Sequence, residues 1–167
     1  MSHRRRFLVL AAHGVLLGAP LPAQTAGKPA PPFTLQTLGG SSDSLSHYTG
    51  RPVLINFWAT WCKPCRTEMP FIIDVYQAHQ HERLSVLAIN LTDQEGSIKA
   101  IREFVAELGM PFPVLLDQKG KARKRYSLRG VPTTLLVGAD GMVRWVNQGP
   151  VTESGLRHHL SEILPPP

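Results

Sequence analysis

The chain holds two cysteines, Cys62 and Cys65, within FWATWCKPCRTEMP (Phe57–Pro70). Two thiols two residues apart support three chemistries: dithiol–disulfide exchange, half of a metal site, or a peroxide-reacting thiol beside a bystander. A purely structural bridge is disfavoured, because closing so short a loop removes little chain entropy. The flanking residues then discriminate. PVLINFWAT (Pro52–Thr60) is a continuous apolar, β-rich run, as in a strand buried on both faces. After Cys65 the period changes: Met69, Ile72, Ile73 and Tyr76 recur at helical spacing, predicting a helix from near Cys62 to about Gln80. Cys62 therefore stands at a helix start, where unpaired N–H groups and the positive dipole end favour a thiolate. Lys63 adds a positive charge next door, and Pro64 has no N–H to lose in the first turn. These features make Cys62 the expected nucleophile and Cys65, one turn deeper, the expected resolving thiol.

The rival chemistries fare worse. Zinc needs two ligands beyond the thiols, and the nearest candidates, His79 and His81, fall roughly 20 Å or more along the helix. His158 and His159 are adjacent, so they should point to different sides of a helix. No metal is expected, and no cofactor beyond a redox-active Cys62–Cys65 disulfide. Peroxide-reducing enzymes of related fold carry Thr or Ser three residues before the reactive Cys and Pro four residues before that. Here those positions hold Ala59 and Ile55, and Thr60 is out of register.

Composition narrows the setting. Hydrophobic residues make up 43% and charged residues 18% of 167, enough to bury a core. The net charge is +6, but Arg4–Arg6 supply three of the six, leaving +3, too little to argue for nucleic acid. Those arginines precede an apolar run from Phe7 to about Leu17, then proline and small residues. That order reads as a signal peptide over residues 1–26, cleaved after Ala23 or Ala26, or retained as an anchor. Arg4–Leu8 also resembles a twin-arginine export signal. Either route places residues 27–167, read as a single domain, outside the cytosol, in the periplasm.

The remaining elements follow from pattern. KPAPP (Lys28–Pro32) reads as a rigid linker. FTLQTL and the GGSSD turn open an N-terminal β-hairpin, and LSVLAINL and FPVLLD are further strands. SIKAIREFVAELG is an amphipathic helix that Gly109 should end. TTLLVGADGMVRWV is a hairpin around Asp140-Gly141, and TESGLRHHLSEIL is a closing helix. The order predicts an α/β fold, a central mixed β-sheet flanked by helices.

FWATWCKPC together with GVPTTLLV (Gly130–Val137) resembles the thioredoxin superfamily, and within it the TlpA/ResA-like branch, over about Pro31 to Leu164. The resemblance implies a thioredoxin-like fold, with NLTDQEGSIKAIREFVAELGMPFPVL as the branch's insertion. It implies a cis Val131–Pro132 bond facing the cysteines, the Val131 backbone pairing with a substrate strand, and Lys63, Pro64, Pro132 and Thr133 as further substrate-binding residues. Trp61 is either a shield and contact face for the disulfide or plain core. Where thioredoxin has a buried Asp, this chain has Asn56, and Glu68 matches the acidic residue that ResA-like proteins keep near the pair. Glu68 is then a proton relay or pKa-tuning group; otherwise it is a solvated carboxylate near a helix N-terminus. KGKARKR (Lys119–Arg125) either steers acidic partners or is a solvated face. The implied activity is a reducing thiol:disulfide oxidoreductase acting on apocytochrome c or copper-assembly proteins, recharged by a membrane donor of cytochrome-biogenesis type. Alternatives are a disulfide-forming oxidant and, more weakly, a Cu(I) chaperone. Nothing suggests an isomerase's dimer arm, so a monomer is expected.

Overall fold

The computed structural model describes residues 26–164. Seven strands form one sheet: β1 (Thr34–Thr37), β2 (Ser42–Ser44), β3 (Val53–Trp58), β4 (Ser85–Asn90), β5 (Val114–Leu116), β6 (Thr133–Val137) and β7 (Val143–Gln148). Their spatial order is β2-β1-β5-β4-β3-β6-β7. β3, β4 and β5 run parallel at the centre, while β6–β7 and the β1–β2 hairpin flank them antiparallel. The helices are α1 (Lys63–His79), α2 (Ile98–Leu108), α3 (Lys121–Arg125) and α4 (Glu153–Leu160). The sequence-derived order of elements holds throughout, and this is a thioredoxin-like α/β fold.

Both faces of the central strands are covered, which explains why every residue of β3 is buried. Leu54 and Trp58 pack on the face under α1, α2 and α4, with Met69, Ile72, Ile101, Phe104, Leu156 and Leu160. Val53, Ile55 and Phe57 point the other way, toward Phe33, Ala122 and Tyr126. The period-2 alternation of β3 therefore puts Asn56 on the helix-covered face, beneath α1. The insertion is welded to that face. Trp58 stacks on Phe104 of α2 at 4.7 Å, and the Arg66 guanidinium lies 4.6 Å above the same ring. Gly109 ends α2 with φ +61°, the left-handed cap the sequence predicts. Pro70 sits inside α1 without ending it. The missing N–H costs one helical bond, and the buried Met69, Ile72, Ile73 and Val75 outweigh it.

One expectation fails. KPAPP is no free linker: Gly27 and Ala30 donate to the Val143 and Gly141 carbonyls at 2.7 and 2.9 Å, and Val143 donates back to Lys28. The Tyr126 hydroxyl donates to the Pro31 carbonyl at 2.7 Å. Prolines lack donors but keep their carbonyls, so a proline-rich segment can still be tied down as an acceptor strip. The signal-peptide reading falls on residues outside the described range, apart from Ala26. No helix among the described residues is long and apolar enough to cross a membrane.

Candidate active site

β3 delivers its C-terminal end to a tight turn over Ala59–Cys62, closed by the Cys62 N–H donating to the Ala59 carbonyl at 3.2 Å. Cys62 then caps α1: its Sγ accepts from the Cys65 N–H at 3.2 Å. Cys62 thus stands at the helix start that the sequence predicts; a backbone N–H aimed at a sulfur is an arrangement that stabilises a thiolate once the pair is reduced. The two sulfurs are bonded at 2.06 Å, the oxidised state of the pair. Cys62 is 3% exposed and Cys65 fully buried. Lys63 and Pro64 between them are exposed. Trp61 is 57% exposed, the one large hydrophobic side chain so placed among the described residues, with its indole N–H donated to the Gln94 carbonyl at 3.0 Å.

Glu68 is 1% exposed, so it is not a solvated carboxylate. Oε1 accepts from Asn56 Nδ2 and Oε2 from the Val151 N–H, both at 2.9 Å. Burial raises its pKa from 4.5 to about 7, against the opposing pull of those two bonds. Asn56 also donates to Thr134 Oγ1 at 3.0 Å, while its own Oδ1 is buried without a partner. A groove of about 320 Å³ opens beside the pair, walled by Lys63, Pro64, Thr67, Glu68, Phe71, Pro150 and Val151.

The Val131–Pro132 bond is cis. The register Phe57↔Thr133 brings it to the sheet edge from which the Ala59–Cys62 turn departs. Val131 is half-buried and Pro132 buried. The Pro132 carbonyl is taken by Gly149, whereas the Val131 N–H and C=O bond nothing within the described residues. Thr133 is completely buried, its hydroxyl donated to the Gly130 carbonyl, so it ties the loop and offers no side-chain surface to a partner.

Two other expectations change. His158 and His159 do not diverge: their rings lie 5.0 Å apart and gather with Glu162 into a group whose ligand atoms fall within 4.8 Å of one another. Half-buried His159 stacks on Trp145 at 4.5 Å and the exposed His158 swings toward it; neither thiol belongs to the group. The basic run is partly spent, since Arg123 pairs with Asp93 at 2.8 Å and Arg125 donates to the Pro32 carbonyl.

The chain is similar in sequence and fold to known proteins. The AhpC/TSA family matches residues 26–146. The chain belongs to that family. Its relatives include the thiol-disulfide oxidoreductase ResA of Geobacillus kaustophilus, 34% identical over 143 residues, covering 86% of this chain and 80% of the relative. Another is the thioredoxin-like protein YneN of Bacillus subtilis, 39% identical over 134 residues, covering 80% and 78%. A Chlorobium tepidum structure, named as a candidate thiol:disulfide interchange protein DsbE, superposes with TM-score 0.78 at 29% identity, covering 84% of this chain and 99% of that one. With the Cys62–Cys65 pair in place, the protein is a thiol:disulfide oxidoreductase. Ala59, fully buried and without a hydroxyl, leaves the peroxide reading as unsupported as before.

The sequence did not reveal the groups that meet Glu68 and Thr60. The Val151 N–H lies 83 residues from Glu68 and belongs to a backbone, so no side-chain motif could announce it. Glu95 bonds Thr60 across 35 residues, and only its place in the insertion, close after β4, hinted at proximity.

Proposed function

We propose that the chain is an exported reductant, passing two electrons from the Cys62–Cys65 dithiol to protein disulfides outside the cytosol. The observation that carries the reading is Glu68, a buried acid with a pKa near 7, one helical turn beyond Cys65 and beneath the groove. Such a group exchanges a proton at neutral pH where a surface carboxylate would stay ionised. The Cys62 thiolate attacks a substrate disulfide, forming a mixed disulfide and releasing one substrate thiolate, which takes a proton from water. Cys65 then gives its proton to Glu68 and attacks the Cys62 sulfur. The second substrate thiolate leaves, and the pair is oxidised by two electrons.

Trp61 and the exposed Lys63 and Pro64 form the docking rim, and the free Val131 backbone pairs with the incoming strand. The substrates are the disulfide forms of the CxxCH cysteines of apocytochrome c or of the paired cysteines of a copper-assembly protein. A membrane donor of the cytochrome-biogenesis type recharges the monomeric protein, since the periplasm is kept oxidising. Kinship with proteins named thiol-disulfide oxidoreductase ResA supports the exchange chemistry, the resemblance of FWATWCKPC to the TlpA/ResA-like branch supports its direction, and the Arg-rich, apolar N-terminus supports export.

The Cys62/Cys65 reduction potential, equilibrated against glutathione, tests it. The scale runs from about −270 mV for thioredoxin to about −120 mV for a strong oxidant, and a reductant should lie below roughly −200 mV. A value near the oxidant end would reassign the protein to disulfide formation.

A further inference from the structure

We infer that Glu95 is the positioning residue of the nucleophile turn: it clamps Thr60 so that Cys62 is presented at a fixed place relative to the first turn of α1. The turn Ala59–Cys62 closes on itself through one backbone bond, which leaves the Thr60 N–H and hydroxyl and the Trp61 side chain without partners inside it. All three are taken from outside by two consecutive residues of the insertion. The Glu95 carboxylate accepts the Thr60 N–H at 2.7 Å on Oε1 and the Thr60 hydroxyl at 2.5 Å on Oε2. The Gln94 carbonyl accepts the Trp61 indole N–H at 3.0 Å.

The clamp has a rigid base. Asn90, the last residue of β4 and completely buried, donates to Glu95 Oε1 at 2.8 Å. Its Oδ1 in turn accepts the Thr92 hydroxyl at 3.0 Å. The 3₁₀ turn Thr92–Gln94 is pinned on its far side by the Asp93 N–H to the Asp117 carbonyl and by the Asp93–Arg123 ion pair. Leu91 N–H closes the near side onto the Trp58 carbonyl at the end of β3. Three donors converge on one partly buried carboxylate, and hydrogen bonds to an ionised acceptor are the shorter, stronger kind. They hold the residue two before the nucleophile. Loosening that turn lets the Cys62 sulfur drift from the Cys65 N–H it accepts, so the thiolate is less favoured and less well aimed.

The test uses the full chain, reduced, reacting with 5,5′-dithiobis(2-nitrobenzoate) from pH 5 to 9. Glu95→Ala removes all three acceptor contacts. Its second-order rate constant should fall about tenfold, with the pH–rate profile displaced to higher pH. Glu95→Gln keeps an acceptor oxygen for the Thr60 and Asn90 N–H groups and can donate to the Thr60 hydroxyl. It should stay within about threefold of wild type and keep the profile, a rescue that mere loss of charge would not give. Thr60→Val loses only the hydroxyl bond and should be about threefold slower. A Glu95→Ala protein with wild-type rate and profile overturns the proposal, as does Glu95→Gln as slow as Glu95→Ala. If Glu95→Ala does not fold, Thr60→Val decides, and a wild-type rate there overturns it equally.

Discussion

Two carboxylates flank the dithiol, and they are held in opposite ways. Glu68 lies under α1, 1% exposed, with two donors for its two oxygens, and burial dominates its behaviour. Glu95 sits at the rim of the sheet, with three donors crowding its two oxygens. The first environment makes proton uptake near neutral pH favourable, because desolvation penalises the charged form more than two hydrogen bonds recover. The second spends the charge on geometry. An acid near a thiol can thus serve chemistry or architecture, and its partners, rather than its nearness, decide which.

The cysteines sharpen that contrast most. Cys62→Ser should abolish exchange, whereas Cys65→Ser should retain attack and accumulate mixed disulfides, visible on non-reducing gels. In the Cys65→Ser background, Glu95→Ala should slow trapping while Glu68→Gln leaves it unchanged, since Glu68 is assigned to the second step. Equal slowing by both would erase the distinction between the carboxylates.

Stability gives the next largest effect. The folded-state pKa of Glu68 lies above its unfolded value, so the unfolded chain ionises first as pH rises. Stability from this group is complete below pH 4.5 and declines until about pH 7, by about 3 kcal/mol for a shift of this size. Urea unfolding at pH 5 and pH 8 should show that decline in wild type and its absence in Glu68→Gln. A decline of the same size in both would place its source elsewhere.

Rate against pH is a finer probe. Turnover of wild type should bend near pH 7, and Glu68→Gln should lose or displace that bend. Two thiols and a carboxylate share the reduced site, so the bend is to be read as an apparent value of the set rather than assigned to one group. The smallest effect concerns the rim. Trp61→Ala should raise KM for a protein disulfide severalfold and leave a small disulfide almost unaffected, since the indole is exposed and outside the bond-making atoms.

Much of this was legible in the chain itself. The strand-to-helix change of period around Cys62, the Asp140-Gly141 turn, the Gly109 cap and the succession of strands and helices depend on local patterns, and local patterns survive in the tertiary structure. The place of Cys62 at a helix start is likewise a property of a few consecutive residues. The partners of these groups are set by the folded chain alone. Whether Glu68 is solvated or buried depends on Asn56 twelve residues before it and Val151 eighty-three after it. The exposure of Trp61, the burial of Thr133, the anchoring of Lys28–Pro32, the gathering of His158 with His159 and the clamp of Glu95 on Thr60 are likewise spatial facts. Hydrophobic periodicity records which face of an element turns inward; it carries no record of which distant polar group will be waiting there.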